Sequence, residues 1–274
     1  MSVKIHPTAI VDRSAELGEG VVVGPYCVIG PEVRVGDETV LQNHVTVQER
    51  VTLGRENVVF PFAVLGAEPQ DLKYSGRPTR VEIGDRNRIR EHATVHRGTE
   101  LGGGCTRIGS DCLVMVGVHI AHDCTVEDRV VIANNSMLGG HCLVEEGAAI
   151  GGGVGVHHFT CVGTLSFIGG MSRVARDVPP YCVVEGTRAE AKKINTTALM
   201  RRKWCDTEIE ALRTAFRMLF RAGETSVREA IAQLRADPDA PRSVMRMCDF
   251  VERTDAGVHG RQLEKWRGGA NPRR

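Results

Sequence analysis

An aliphatic residue returns at every sixth position through most of this chain. The run goes from Ile5, Val11, Leu17, Val23, Ile29, Val35 and Leu41 to Leu65, resumes at Ile83, Ile89, Val95 and Leu101, and continues from Ile108 to Val174. Four places after most of these stands a second small or aliphatic residue, as at Ala9, Val21, Cys27, Val33 and Thr39. A period of six fits neither a helix nor an ordinary strand. It predicts a parallel β-helix of hexapeptide repeats, in which each hexad supplies a short strand and a corner, and stacked coils share one core. Two inward positions per hexad suffice, so a chain that is 42% hydrophobic and only 4% aromatic can still have a large core of Val, Ile, Leu, Ala, Cys and Thr. The 31 Gly are assigned to corners that need positive φ.

The pattern breaks twice. Between Leu65 and Ile83 the expected core positions are empty, which predicts an extruded loop over 66–82 carrying Asp71, Lys73 and Arg80. A shorter break, LGGGCTR at 101–107, shifts the phase by one residue. After DVPPY (177–181) the period becomes helical. Ile209, Leu212, Phe216 and Leu219 form one stripe of a helix ending at Gly223, Ser226 and Glu229 make a capping box for a second helix through Leu234, and a third runs from Ser243 to Arg253. The tail from Thr254 reads as frayed. The division predicted is a β-helix over 1–190 and a helical domain over 191–274 that covers the last coil.

Net charge is +1, so no global field attracts nucleic acid or an anionic membrane. No stretch approaches the roughly 18 unbroken apolar residues of a spanning helix, and the N-terminus enters the repeat without a signal peptide's regions, which makes the cytoplasm the expected location. The nine Cys show no CxxC pair, and Cys27, Cys112 and Cys124 occupy inward positions, as small core hydrophobes do.

Nine of the ten His lie within the repeat, none at an expected core position. Imidazole changes charge near neutrality, so a cluster of outward His suits proton transfer or anion binding. Zinc is the competing use, with His119, His122 and His141 as the trio, but the spacing gives no reason to prefer it and no metal is assigned.

The strings DLKYSGRPTRVEIGDRNRIRE (71–91), HRGT (96–99), HIAHDCTV (119–126), ANN (133–135), GGH (139–141) and DVPPY resemble those of the acyl-carrier-protein-dependent UDP-N-acetylglucosamine O-acyltransferases, which begin lipid A synthesis. The resemblance covers most of residues 1–203 and implies a left-handed parallel β-helix, three hexads per coil, and a homotrimer with active sites in the clefts between subunits. Residues eighteen apart then stack at roughly 4.8 Å per rung, which puts Gly140 beside His122 and His158 one rung further. The reaction implied is transfer of a 3-hydroxyacyl chain from acyl carrier protein to the 3-hydroxyl of UDP-N-acetylglucosamine, with no cofactor beyond the carrier's own phosphopantetheine. His122 would be the general base, Asp123 its orienting partner and the Gly140 amide the oxyanion donor.

By the same resemblance His119, His141 and His157 contact sugar, phosphate or carrier, and Asp71 and Lys73 reach the sugar and diphosphate from the adjacent subunit; His158 is counted with these substrate-binding residues from its place in the His patch. Asn195 and Arg201 serve the nucleotide, while Phe167, Gly170 and Arg188 set the floor of the acyl pocket. The chain departs from the family where His158 replaces the usual Gln, Arg188 a common His, and Thr197 a carboxylate near the nucleoside. A basic stripe, Arg213, Arg217 and Arg221, could receive an acidic carrier protein or face water. The rivals are a related acyltransferase with another nucleotide sugar or an acyl-CoA donor, and a bare β-helical scaffold whose His patch is idle.

Overall fold

A computed structural model describes residues 2–221 and 225–267, so the predicted helix end at Gly223 and the terminal GGANPRR lie outside the described residues. Short strands, mostly of two residues, wind into three parallel sheets that form the faces of a prism. One face runs from Lys4–Ile5 to Glu190–Ile194, the second from Ile10–Val11 to Arg173–Val174, and the third from Glu16–Leu17 to Cys161–Val162. Hydrogen-bonded partners stand eighteen residues apart, as Val22 with Val40 and His119 with Met137, so three hexads close one coil.

Two departures from that count define the loops. Val51 pairs with Val81, thirty residues on, and Arg80 with Cys105, twenty-five on, so the loops insert twelve and seven residues. Both leave the prism at the same corner, where the second face turns into the third. They place unpatterned chain directly over one edge of the coil.

The aliphatic positions fill the prism: Ile29, Leu41, Leu53, Leu65, Ile89, Ile120, Ile132, Leu138, Ile150 and Ile168 are all fully buried. Cys27, Cys112 and Cys124 join them as small core residues. Three sequence expectations change here. Ile5 is 48% exposed, because the first coil has no rung beneath it, and Leu101 is 53% exposed, because the second loop carries it out of the coil. His96 is buried although it follows the core position Val95, since the loops fold over it.

The glycines also work differently from the expectation. The positive-φ corner positions hold many non-glycine residues, including Tyr26, Glu32, Glu38 and His44 at φ 57 to 58°. Glycine holds some corners, as at Gly20, Gly117, Gly147 and Gly153 at φ 67 to 68°, and also stands where successive coils touch. A Cβ at Gly36 would lie 2.6 Å from the carbonyl carbon of Gly54 in the next rung, so stacking distance excludes a side chain there.

The last face does not stop at residue 190. Strand Cys182–Glu185 pairs antiparallel with Glu190–Ile194, which straddles that position and ends the sheet. Among the described residues four α-helices follow: α1 (Thr196–Arg201), α2 (Asp206–Phe220), α3 (Val227–Ala236) and α4 (Arg242–Asp255). The predicted stripe Ile209, Leu212, Phe216 and Leu219 is the buried face of α2, and Ser226 with Glu229 forms the capping box of α3. Among the described residues no helix is long and apolar enough to cross a membrane.

The segment after Thr254 is not frayed as far as Arg267. Asp177 accepts hydrogen bonds from the Gln262 amide at 2.8 Å and the Thr254 hydroxyl at 3.1 Å, and Arg261 donates to the Ala175 carbonyl at 2.6 Å. Leu263 buries against Leu143, Phe159, Cys161 and Phe250, a second small core outside the prism. Polar anchors and an apolar plug together fix a stretch whose composition carries no periodic pattern.

Candidate active site

The corner that carries both loops also carries, rung above rung, His122–Asp123, Gly140–His141 and His158–Phe159. Adjacent residues in a strand point to opposite sides. At this corner Asp123 has φ +60°, which turns its carboxylate back toward the preceding ring, and Asp123 Oδ2 lies 2.8 Å from His122 Nδ1. The same carboxylate accepts from the Thr99 amide at 2.9 and 3.1 Å and from the Thr99 hydroxyl at 2.7 Å. Its side chain is fully buried while that of His122 keeps 12% exposure. A carboxylate can only accept, so Nδ1 carries the proton and Nε2 presents a lone pair.

The short loop is shaped around this pair. A Cβ at Gly102 would fall 1.9 Å from Asp123 Cγ, so only glycine lets the loop close over the carboxylate. A Cβ at Gly140 would lie 2.5 Å from His122 Cε1 and 2.6 Å from Nε2. The eighteen-residue count therefore brings His122 and Gly140 together.

His141 stacks on Phe159 at 4.3 Å and meets the His122 ring edge-on at 5.0 Å. Burial pushes its imidazole down to about 4, against the pull of Asp123. His119 binds Thr94 Oγ1 through Nδ1 at 2.8 Å and touches His96 at 4.8 Å; burial lowers both imidazoles, His96 to about 4. His157 and His158 lie ring to ring at 3.8 Å, and burial, then His157 and Arg267, bring His158 down to about 4. With their imidazoles pushed down to about 4, His96, His141 and His158 are neutral at pH 7.

His119, His122, His141, His157 and His158 line a cleft of about 740 Å³ together with Asp71, Lys73, Met137, Arg173, Trp266 and Arg267. Lys73 stands 3.9 Å from Asp71. Asp71 and Lys73 thus reach the His122 cleft of their own chain, which corrects the expectation that the adjacent subunit supplies them. The long loop starts from the same corner and is tied down by Arg97, whose buried guanidinium donates to the Gly66 carbonyl at 3.1 Å. Arg80 is not in the loop; it lies in strand Arg80–Ile83 and pairs with Glu82 at 2.6 Å.

The remaining predicted residues stand apart from this cleft within one chain. Asn195 caps α1 by accepting from the Ala198 amide at 3.3 Å and donates to the Leu165 carbonyl at 2.9 Å. Arg201 is exposed at the end of α1 and Thr197 lies in its first turn. Phe167, Gly170 and Arg188 are exposed, the first on the first face, the second at the corner that follows, the third in the turn before Glu190–Ile194. Of the basic stripe on α2, Arg213 and Arg217 pair with Glu210 at 3.1 and 3.6 Å, and Arg221 donates to the Ala191 carbonyl.

Sequence reasoning missed Arg173, Trp266 and Arg267 as cleft residues. The position of Arg173, eighteen after Gly155 and paired with it on the second face, was open to the same stacking count; the two tail residues carried no signal. As a metal set, His122, Asp123 and His141 have donor atoms within 4.8 Å of one another, and His119 is not in that group. Asp123 Oδ2 already takes donors from Thr99 and His122, so the donor set is satisfied as an acid–base pair.

A hexapeptide coil with a buried His–Asp pair opening on a loop-walled cleft defines a hexapeptide-repeat transferase, and residues 14–49 and 105–140 match the bacterial transferase hexapeptide profile. Residues 177–259 match domain 2 of the UDP-N-acetylglucosamine O-acyltransferases. The chain is similar to that acyltransferase from Moraxella catarrhalis, with 42% identity, 89% of this chain and 95% of that one covered, and a TM-score of 0.87. The enzyme from Francisella novicida gives 34%, 90%, 91% and 0.87, and that from Arabidopsis 34%, 93%, 98% and 0.83. The chain belongs to the UDP-N-acetylglucosamine O-acyltransferase family.

Proposed function

We propose that this enzyme moves a 3-hydroxyacyl chain from acyl carrier protein to the 3-hydroxyl of UDP-N-acetylglucosamine, with His122 as general base. The observation that carries the reading is the His122–Asp123–Thr99 chain beside Gly140 in a walled cleft. Nε2 of His122 takes the hydroxyl proton as the sugar oxygen attacks the thioester carbonyl, and the Gly140 amide supports the oxyanion. Collapse of the tetrahedral intermediate breaks the C–S bond, and the imidazolium returns its proton to the carrier's thiolate. Asp123 holds the tautomer and stabilises the imidazolium. The carrier's phosphopantetheine brings the acyl group, and no metal takes part.

Asp71, Lys73, His119, His141, His157 and His158 bind sugar and phosphate in this scheme. Asn195 and Arg201 stand outside their own cleft, so their nucleotide role needs a second copy of the chain, which supports a homotrimer with shared clefts. Phe167, Gly170 and Arg188 meet the acyl chain from the same neighbouring surface. We place the enzyme in the cytoplasm, where acyl carrier protein and nucleotide sugars meet.

The test is turnover of acyl-carrier thioester with UDP-N-acetylglucosamine by wild type and His122→Ala. The variant should lose on the order of 10²- to 10⁴-fold in kcat; full activity in it discards the base. Activity with acyl-CoA alone, or only with a 3-amino sugar nucleotide, would move the assignment to a related acyltransferase. A chelator should change nothing, and a mass measurement should give three copies.

A further inference from the structure

The segment from Gly257 to Arg267 runs along the corner one rung beyond His158 and ends inside the cleft wall. It is a docked strap, not a loose end. Asp177 accepts from the Cys161 amide of the coil at 2.8 Å and from the Gln262 amide of the strap at 2.8 Å, so one buried carboxylate joins the two. The plug formed by Leu263 sits under Phe159, the residue on which His141 stacks.

At the strap's end Glu264 is buried and holds two guanidinium groups, Arg261 at 3.0 Å and Arg267 at 2.6 Å. One carboxylate between two arginines leaves a net positive charge. Arg267 uses Nε on Glu264, lies over the Phe159 ring at 5.0 Å, and turns Nη2 to His158 Nε2. Its side chain is 49% exposed and lines the cleft, with Arg173 on the same wall. Planar guanidinium groups with free N–H bonds are suited to phosphate oxygens, and stacking on an aromatic ring fixes their plane.

We propose that Arg267 is a substrate-binding residue that takes a phosphate group within the cleft, oriented by Glu264 and Phe159. This rests on the reading of the cleft as the acyl-transfer site. Two phosphates meet the description, the diphosphate of the nucleotide sugar and the phosphodiester of the carrier's phosphopantetheine arm. The binding chemistry is the same for both.

Full-length wild type, Arg267→Ala and Arg267→Lys are titrated calorimetrically with UDP and, separately, with holo and apo acyl carrier protein. Losing a charge-assisted contact should weaken one ligand by about tenfold or more in Arg267→Ala, with partial recovery in Arg267→Lys. A loss confined to UDP assigns the diphosphate. A loss for holo but not apo carrier assigns the phosphopantetheine phosphate. Unchanged affinity for both overturns the proposal. Should Arg267→Ala fail to fold, Arg267→Gln keeps the stem over Phe159 and removes the charge, and the same outcomes apply. Wild type that binds neither UDP nor holo carrier refutes the functional reading, a failure separate from equal binding by wild type and variant.

Discussion

Gly140 stands one rung from His122, and the side chain it lacks would overlap the imidazole, 2.5 Å from Cε1. Both residues sit on the corner where the winding brings chain eighteen residues apart into register. Gly140→Ala should therefore displace the ring and leave the coil intact, because the three nearest atoms all belong to one side chain. We expect kcat to fall by about 10²-fold or more, with Tm within a few degrees of wild type. Steady-state kinetics beside a thermal melt checks it, and an active Gly140→Ala protein would mean that the His122 ring does not need its observed position.

Asp123→Asn replaces an acceptor with an amide that can donate to His122 Nδ1 and invert its tautomer. Loss of kcat of about 10⁴-fold is the upper bound set by the same exchange in the serine protease triad; on that scale at least 10²-fold is expected here, with KM little changed. Stability should fall as well, since Asp123 also secures Thr99. Comparing Asp123→Asn with Thr99→Ala separates the two effects: the second should lower Tm with a smaller change in kcat.

The period of six made the prism legible because every rung repeats the same burial problem, so Val23, Leu41 and Val59 answer it alike. The stacking of His122 on Gly140 followed from the count once three hexads per coil were taken. What escaped the pattern obeys no period. The loop around Leu101, the burial of His96 and the docking of Gln262 through Trp266 depend on single contacts to Asp123, Arg97 and Asp177. A motif could point to Asp71 and Lys73, but which subunit's cleft they enter is a matter of loop geometry. The conformation of corners was misjudged because stacking contact and positive φ both select glycine, and only coordinates separate them.

His96, His141 and His158 are each depressed from 6.5 to about 4, mainly by burial. The unfolded chain binds their protons first, so the stability they contribute is full above pH 6.5 and is lost as pH falls toward 4. Asp177 is raised from 3.8 to about 6 by burial, and its contribution has the opposite sign: full below 3.8 and lost as pH rises through 6. Three imidazoles against one carboxyl predict a Tm that declines from pH 7 to pH 4.5. His96→Leu should make that decline shallower and Asp177→Asn steeper. A series of melts across the window decides it, and parallel curves for all three proteins would remove the buried groups as the cause.

Arg97 joins the long loop to the coil. Its guanidinium is 4% exposed and reaches the Gly66 carbonyl at 3.1 Å, Glu68 at 3.1 Å and Glu49 at 3.2 Å, with the Tyr74 ring 5.7 Å away. Removing a buried, multiply bonded cation costs about 2–4 kcal/mol, since its partners lose both charge and donors. Arg97→Ala should lower stability by that amount in urea titration and raise the KM for nucleotide sugar by roughly tenfold, as Asp71 and Lys73 lose their fixed approach to His141. The proton-transfer pair lies on the coil and is held by Thr99 of the other loop, so kcat at saturation should fall less than kcat/KM. A KM unchanged in a destabilised Arg97→Ala protein would show that the loop's order serves folding alone.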